Sequence, residues 1–525
     1  MSTSVSAEVR SLVFAHLRGI VLAPVVRALQ DRGVFTLFEE FGTVTLDQVI
    51  EKTHGNRGYV RIALRLLVSA GWFEGSYRLT AEGRALLKIA PEHYREAVAF
   101  IPMAIFLEDF LFGKSQGSFL PSLQVLIDKA LQGWGLPESA QELRRQFDGM
   151  LVGPAMVALA RKSILKDLLN GPVELKSMDG NQSGLAALFD LLAGCGWVER
   201  ESGRIALTAA GRYAASIAAA YGVTVSYLPM LSVVSTLLFG NPRIPRVDES
   251  GVETLVNRAM NIWGGGGAHA HYFDKVDEII VDVFNRPIEL QPAGVCDVGC
   301  GDGAFLEHVY HVVKERTARG KVLDEFPLLI AAADVHKISR RVTKQNFKRA
   351  RIPECHVMEG DINRPALLAV QLEELGVDIH DLLHVRAFLD HNRPWLPPSG
   401  YVRGTRVART GGAFAWRGEE IPTDEVEENM VRHLRRWAPY VGRFGIVILE
   451  LHTLEPGVAA ANRGKTPAVA YDGTHGFSDQ YLLELDIFLA CAREAGLHAD
   501  ARFQTAFPHS ELATVSLNYF TAPQA

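Results

Sequence analysis

The stretch Gly294-Val-Cys-Asp-Val-Gly-Cys-Gly-Asp-Gly303 decides the fold of this chain. Gly294 to Val298 is short and apolar and reads as a strand. An acidic, glycine-rich turn follows, and a helical pattern begins at Ala304 and runs to Lys314. Strand, turn and helix N-terminus in this order bring backbone N–H groups close to a bound nucleotide or carboxylate. Gly299, Gly301 and Gly303 supply the close approach and the unusual backbone angles. The order D-x-G-x-G-x-G differs from the dinucleotide fingerprint G-x-G-x-x-G, and no Lys followed by Ser or Thr is present to hold a triphosphate.

Outward from this loop, strands alternate with helices, which implies a parallel sheet with ligands at the strands' C-terminal ends. Leu328 to Asp334 is a buried strand ending in an acid, and 337–350 is an amphipathic, basic helix. Further strand regions are Cys355 to Ile362, Asp381 to Trp395 and Phe444 to His452. After Tyr471-Asp-Gly-Thr-His-Gly-Phe-Ser-Asp-Gln-Tyr481 a helix is expected to about Ala495. Strands over Ala501–Phe507 and Ala513–Phe520 then complete a seven-stranded Rossmann-like sheet.

The glycine loop resembles motif I of the class I S-adenosylmethionine (SAM) methyltransferases. The resemblance implies that Gly299, Gly301 and Gly303 pass under the methionine carboxylate and that Asp297 sits near its ammonium. Asp334 would bind the ribose hydroxyls, and Asp361 with Ile362 would flank the adenine. Arg386, Asp390, His391 and Arg393 stand where methyl transfer is expected, and His391 resembles in position the general base of the O-methyltransferases. Its surroundings, Phe-Leu-Asp-His-Asn-Arg-Pro-Trp, depart from that family's pattern.

The N-terminal half repeats itself. The first copy contains Leu22 to Leu29, Leu66 to Trp72 and Tyr77 to Gly83; the second contains Val152 to Leu159, Leu191 to Trp197 and Ile205 to Gly211. Each copy reads as helices followed by a small hairpin, a winged-helix pattern, with Thr45 and Thr80 as N-caps in the first. Gly71 stops helix 57–70, whose Arg57, Arg61 and Arg65 could meet phosphates or form a solvated or subunit-facing surface. Plant-type O-methyltransferases begin with a module resembling the first copy, which implies a possible homodimer through these modules. The expected organisation is module 1 over 1–92, a helical lid or packing segment over 93–149 and module 2 over 150–241. A linker and lid over 242–275 then leads to the methyltransferase core over 276–525.

Composition is that of a soluble globular protein, 48% hydrophobic and 22% charged, and at 525 residues it suggests about three domains. The formal net charge of -6 gives no bulk electrostatic case for nucleic acid. Five cysteines, Cys195, Cys296, Cys300, Cys355 and Cys491, lack C-x-x-C spacing, and no signal peptide or long charge-free apolar run is apparent. A cytoplasmic protein without membrane contact is expected.

Five segments set this core apart: Asn261-Ile-Trp-Gly-Gly-Gly-Gly-Ala-His-Ala-His-Tyr-Phe273, Phe284-Asn-Arg-Pro-Ile-Glu289, Phe388-Leu-Asp-His-Asn-Arg393, Glu450-Leu-His452 and His475-Gly-Phe-Ser-Asp-Gln480. Together they resemble the C-methyltransferase domains that begin polyketide pathways of the apratoxin and saxitoxin type. That resemblance implies a metal-dependent enzyme methylating a malonyl-type thioester on an acyl carrier protein. Fe or Mn would be held by His391, His452 and Gln480 and would stabilise an enolate, while Arg386 or Arg393 would bind the acceptor's carboxylate. His269 and His271 are expected in a flexible lid, with Trp263 and Tyr272 covering SAM. Two alternatives stay open from the residues: a metal-independent O- or N-methyltransferase with His391 as base, and a winged-helix DNA-binding regulator that senses SAM.

Overall fold

The computed structural model describes residues 3–113, 119–248, 252–269 and 272–523, and the chain divides into two compact units. The first is Met1–Ala268 with Ala415–Glu420 and Glu455–Ser478; the second is His269–Phe414, Ile421–Leu454 and Asp479–Ala525. The sequence reading placed everything after 276 in the core. Two later segments instead fold with the helical unit.

Helix α1 (Thr3–Asp31) is the spine of the helical unit and packs along α3 (Gln141–Arg161). Ser4–Asp31 is long and apolar enough to cross a membrane by length and composition, yet 83% of its most apolar window is buried inside the protein. Its buried side chains, among them Val13, Ile20, Leu22 and Leu29, are core.

The two repeats share one local architecture. Thr80 accepts from Gly83 N at 2.9 Å and donates its hydroxyl to Gly71 O at 2.8 Å; Thr208 accepts from Gly211 N at 3.0 Å and donates to Gly196 O at 2.8 Å. A Cβ on Gly83 would lie 2.1 Å from Trp72 O, and one on Gly211 would lie 1.8 Å from Trp197 O. Each copy therefore needs a cap and a side-chain-free position at the same place, because the helix start lies directly on the backbone of the tryptophan that precedes the hairpin's first strand. Thr45 caps Leu46–Thr53 in a reciprocal box with Gln48, as its position before an apolar helical pattern predicts.

Helix α2 (Arg57–Ser69) carries the three arginines, and each has a carboxylate partner inside this unit. Arg57 Nε bonds Glu420 at 2.6 Å, Arg61 pairs with the same carboxylate, and Arg65 pairs with Asp472. Arg57 and Arg61 stay 45% and 35% exposed while paired, and Arg65 is 9% exposed.

The four-glycine run, expected as a flexible lid, is instead helical, in α4 (Arg258–His269). A Cβ on Gly264 would meet the Gly222 backbone at 2.6 Å, so the missing side chains allow two backbones to touch. Trp263 packs beside Gly222 in the helical unit. His271 and the His269 side chain lie outside the described residues.

The second unit is a mixed sheet built on β1 (Gly294–Val298), β2 (Leu329–Ala333), β3 (Cys355–Met358), β4 (Leu382–Ala387) and β5 (Ile446–Leu451). Three further strands, β6 (His498–Ala499), β7 (Thr505–Phe507) and β8 (Val515–Thr521), make eight rather than seven. The order is β6-β8-β5-β4-β1-β2-β3, with β7 also on β8. Neighbours from β5 to β3 are parallel, and β8 runs antiparallel to β5, β6 and β7. The extra strand is β6, which precedes the segment expected as Ala501–Phe507; that segment is reduced to β7, and both pair with β8. Strand order reverses at β1, so a crevice for a ligand opens beside its C-terminal end.

Candidate active site

At that end, β1 passes through the glycine loop into α5 (Ala304–Arg316). Gly299, Gly301 and Gly303 have φ of 88°, 58° and 81°, a region in which an L-residue is strained. The turn is fastened to β2 by Gly299 N to Ala333 O at 2.7 Å. A Cβ on Gly301 would meet no heavy atom within 4 Å, so the loop faces open space there.

Asp297 is 2% exposed, and its Oδ1 has no hydrogen-bond partner among the described residues. Burial, then the neighbouring Asp334 charge, push this carboxyl up to about 8. An acid held in this way suits a cationic ligand group, which would supply the missing partner. Asp334 ends β2, just ahead of helix α6 (Lys337–Ala350); it accepts from Gly301 N at 3.1 Å and His336 N at 2.7 Å. Asp361 follows β3 and caps the turn through Asn363 N at 2.8 Å, while buried Ile362 gives its carbonyl to Trp437 Nε1 at 2.7 Å. The three glycines, Asp297, Asp334, Asp361 and Ile362 thus line the ends of β1, β2 and β3 in the expected order.

The ends of β4 and β5 carry the reactive histidine. Phe388 leaves β4 with φ 56°, an unfavourable value for an aromatic residue, held by its N–H on Leu449 O at 2.7 Å. This bend turns the chain so that His391 reaches Glu450. The His391 Nδ1–H donates to Glu450, and His391 N donates to the other carboxylate oxygen at 3.1 Å. A carboxylate on Nδ1 fixes the tautomer and leaves Nε2 with its lone pair. Tyr481 N donates to His391 O at 2.8 Å, which seats the Asp479–Tyr481 turn, with buried Gln480, against this loop. Gln480 lies in a turn ahead of the helix Leu485–Glu494, with Asp479 at φ 62°, rather than at a helix start.

His452 stands differently. It is fully buried, with Nε2 on Ser516 Oγ at 2.8 Å and Nδ1 on Leu483 O at 3.2 Å, and burial holds it at about 3. With Nδ1–H on the Leu483 carbonyl, the neutral ring keeps its lone pair on Nε2, where the Ser516 hydroxyl donates. Of the three expected ligands, His391 and His452 each have Nδ1 held by an acceptor, the way metal-binding histidines are oriented, and Gln480 lies in the turn that Tyr481 N joins to His391 O.

The arginines are committed inward. Arg386 pairs with Asp390 and lies over the Trp437 ring at 4.4 Å. Burial opposes ionisation of Asp390, yet Arg386 and a hydrogen bond from His433 hold it below the ordinary carboxylate range. Arg393 donates to Asn429 Oδ1 at 2.6 Å and Asp390 O at 2.8 Å. Arg386 Nε and Nη2 have no hydrogen-bond partner among the described residues. Tyr272 stacks near Phe507 (4.8 Å) and Phe388 (6.0 Å), beside the bend that leads to His391.

Sequence reasoning missed Glu450, His433, Asn363 and Trp437. A carboxylate inside the apolar run Ile446–Leu451 was the available signal for Glu450, since a buried acid requires a partner. His433 carried none.

Three family models match the chain: the AprA MT2-like domain over residues 253–518, the AprA N-terminal domain over 9–75 and the AprA winged helix domain over 148–241. Only the second repeat thus matches as a winged helix. No curated protein matches. Similar solved structures include the mitomycin 7-O-methyltransferase MmcR, at 12% identity and TM-score 0.42, covering 73% of this chain and 98% of that one. An O-methyltransferase family protein from Burkholderia thailandensis is 13% identical at TM-score 0.42, covering 74% and 100%. Human N-acetylserotonin methyltransferase in complex with SAM is 13% identical at TM-score 0.39, covering 74% and 99%. The match over 253–518 takes in just over half of the chain and every residue of the site described above; this chain belongs to the AprA MT2-like family and is a SAM-dependent methyltransferase.

Proposed function

We propose that the enzyme C-methylates an activated carboxylic substrate of polyketide-type metabolism, such as a malonyl-type thioester, in the cytoplasm. The observation that carries this reading is the His391–Glu450 pair beside the cofactor loop; the AprA MT2-like match supports the substrate class. His391 Nε2 takes the proton from the acceptor carbon. The carbon's electron pair attacks the SAM methyl, the methyl–sulfur bond breaks, and S-adenosylhomocysteine leaves with its sulfur neutral. Glu450 stabilises the imidazolium through Nδ1–H. A metal held by His391, His452 and Gln480 would supply a Lewis acid for the acceptor's carbonyl oxygens. A carrier protein or a free thioester presents the acceptor.

The test is turnover with SAM and malonyl-type thioesters deuterated at the α-carbon, read by mass spectrometry. The expected product gains one methyl on carbon and loses deuterium. Methylation of phenols or amines with inert thioesters would overturn the carbon assignment. Repeating the assay after chelation separates the roles of His391: a surviving rate assigns the base, and a loss restored by Mn or Fe assigns the metal.

The Asp297 carboxyl gives a second expected result. Its folded value of about 8 lies above the ordinary carboxylate range, so the ligand-free protein binds a proton that the unfolded chain does not. Stability therefore falls as pH rises from the carboxylate range through about 8. The SAM ammonium favours the ionised acid, so binding at neutral pH should release up to about one proton. Calorimetry in two buffers of unlike ionisation enthalpy measures it. Asp297→Asn should abolish the release and weaken binding; identical proton counts in both proteins would remove Asp297 from the ammonium site.

A further inference from the structure

Helix α7 (Thr423–Trp437) presents Asn429, His433, Arg436 and Trp437 along one face, at spacings of four, three and one. Every one of them holds a loop of the site. Trp437 Nε1 donates to Ile362 O at 2.7 Å, and Arg436 Nη2 donates to Asn363 Oδ1 at 3.0 Å. Those two bonds fix the turn that follows β3. Asn429 Nδ2 donates to Leu396 O at 2.6 Å, and Asn429 Oδ1 accepts from Arg393 Nε at 2.6 Å. Those two fix the far side of the loop that carries His391.

His433 stands between the pairs and touches both loops. One ring nitrogen lies 2.8 Å from Asp390 Oδ1, and the other lies 3.3 Å from Asn363 Oδ1. It is wholly buried, as is Asp390. Asn363 closes the circuit directly, with Nδ2 donating to Pro394 O at 3.1 Å. A buried polar network of this kind has one low-energy arrangement, so moving one loop strains the other.

We infer that α7 is a brace that registers the His391 loop against the cofactor loop, with His433 as its central positioning residue. This rests on the reading of 361–362 as the adenine edge and of His391 as the reactive group. Cofactor bound at the β3 turn thereby fixes the loop three strands away that must present His391 to the acceptor. Asp390 is the relay, because it is bonded to His433 and is the residue before His391.

The experiment uses the full chain as His433→Leu and His433→Gln, the second retaining a hydrogen-bonding side chain. Backbone hydrogen exchange is measured with and without S-adenosylhomocysteine, alongside its affinity and the turnover number. In the wild type, the ligand is expected to protect 361–364 and 388–396 together. In His433→Leu, affinity should stay within about threefold and protection of 361–364 should persist, while protection of 388–396 is lost. Turnover should fall by up to about 100-fold, the scale of a misplaced reacting group, with partial recovery in His433→Gln.

Unchanged protection of 388–396 in His433→Leu would overturn the inference. So would a wild type that shows no ligand-dependent protection there, or a loss spread equally over 294–303, which marks a merely structural residue. The exchange readout needs no acceptor, so an error in the proposed substrate class appears in turnover alone and is told apart.

Discussion

Replacing His391 with alanine is expected to lower turnover by about 10²–10⁴-fold, the range for loss of a positioned acid–base group, while SAM affinity stays near that of the wild type. The reason is geometric. His391 stands on the loop after β4, whereas the SAM-facing candidates, Asp297, Asp334 and Asp361, belong to β1, β2 and β3. Removing the ring also leaves Glu450, which is 1% exposed, without its Nδ1–H partner. Stability should therefore fall by about 1–3 kcal/mol as well. Glu450→Gln isolates the orienting role: the ring remains, but the amide no longer stabilises its charged form. Thermal unfolding and SAM titration on each variant separate folding from chemistry. A His391→Ala enzyme within tenfold of wild-type turnover would exclude both the base and the metal-ligand role of this residue.

The second large effect falls on stability. Asp472→Ala should destabilise the protein by about 3–5 kcal/mol, because it removes the carboxylate that pairs with the Arg65 guanidinium in a buried place. The side chains of this pair are only 9% and 6% exposed. Reversible denaturant unfolding reads the loss as a lower midpoint. The double variant Arg65→Met, Asp472→Leu should recover most of it, since a buried ion pair is worth little more than well-packed apolar groups of similar volume. If the single variant loses less than about 1 kcal/mol, water reaches the pair and it behaves as a surface ion pair.

Much of the catalytic half was legible because glycine and acid positions are set by backbone geometry. Gly294–Val298 and helix 337–350 have the expected limits, and the acids fall at the ends of β2 and β3 in sequence order. The repeat was legible for the same reason: Thr80 and Thr208 cap helices whose third residue, Gly83 or Gly211, has no room for a side chain. What escaped depends on contacts between distant residues. His452 ends a strand, but its bond to Ser516, 64 residues away, has no local signal in the sequence. The glycine run suggested mobility because glycine is permissive; the Gly222 backbone, remote in sequence, makes it a packed helix instead. His433 sits in a helix rich in charge, and nothing local marks it as buried.

The helical unit includes Ala415–Glu420 and Glu455–Ser478, so its core is not complete when residue 268 leaves the ribosome. Arg57, Arg61 and Arg65 then have no Glu420 or Asp472 to meet, and α2 lacks the carboxylates that hold it. Synthesis must proceed through Ser478 before the first unit can close, by which time β1 to β5 have already emerged. The two halves of this enzyme therefore finish folding nearly together, late in translation. A gene cut at residue 268 would yield not two domains but two incomplete chains, each a client for chaperones.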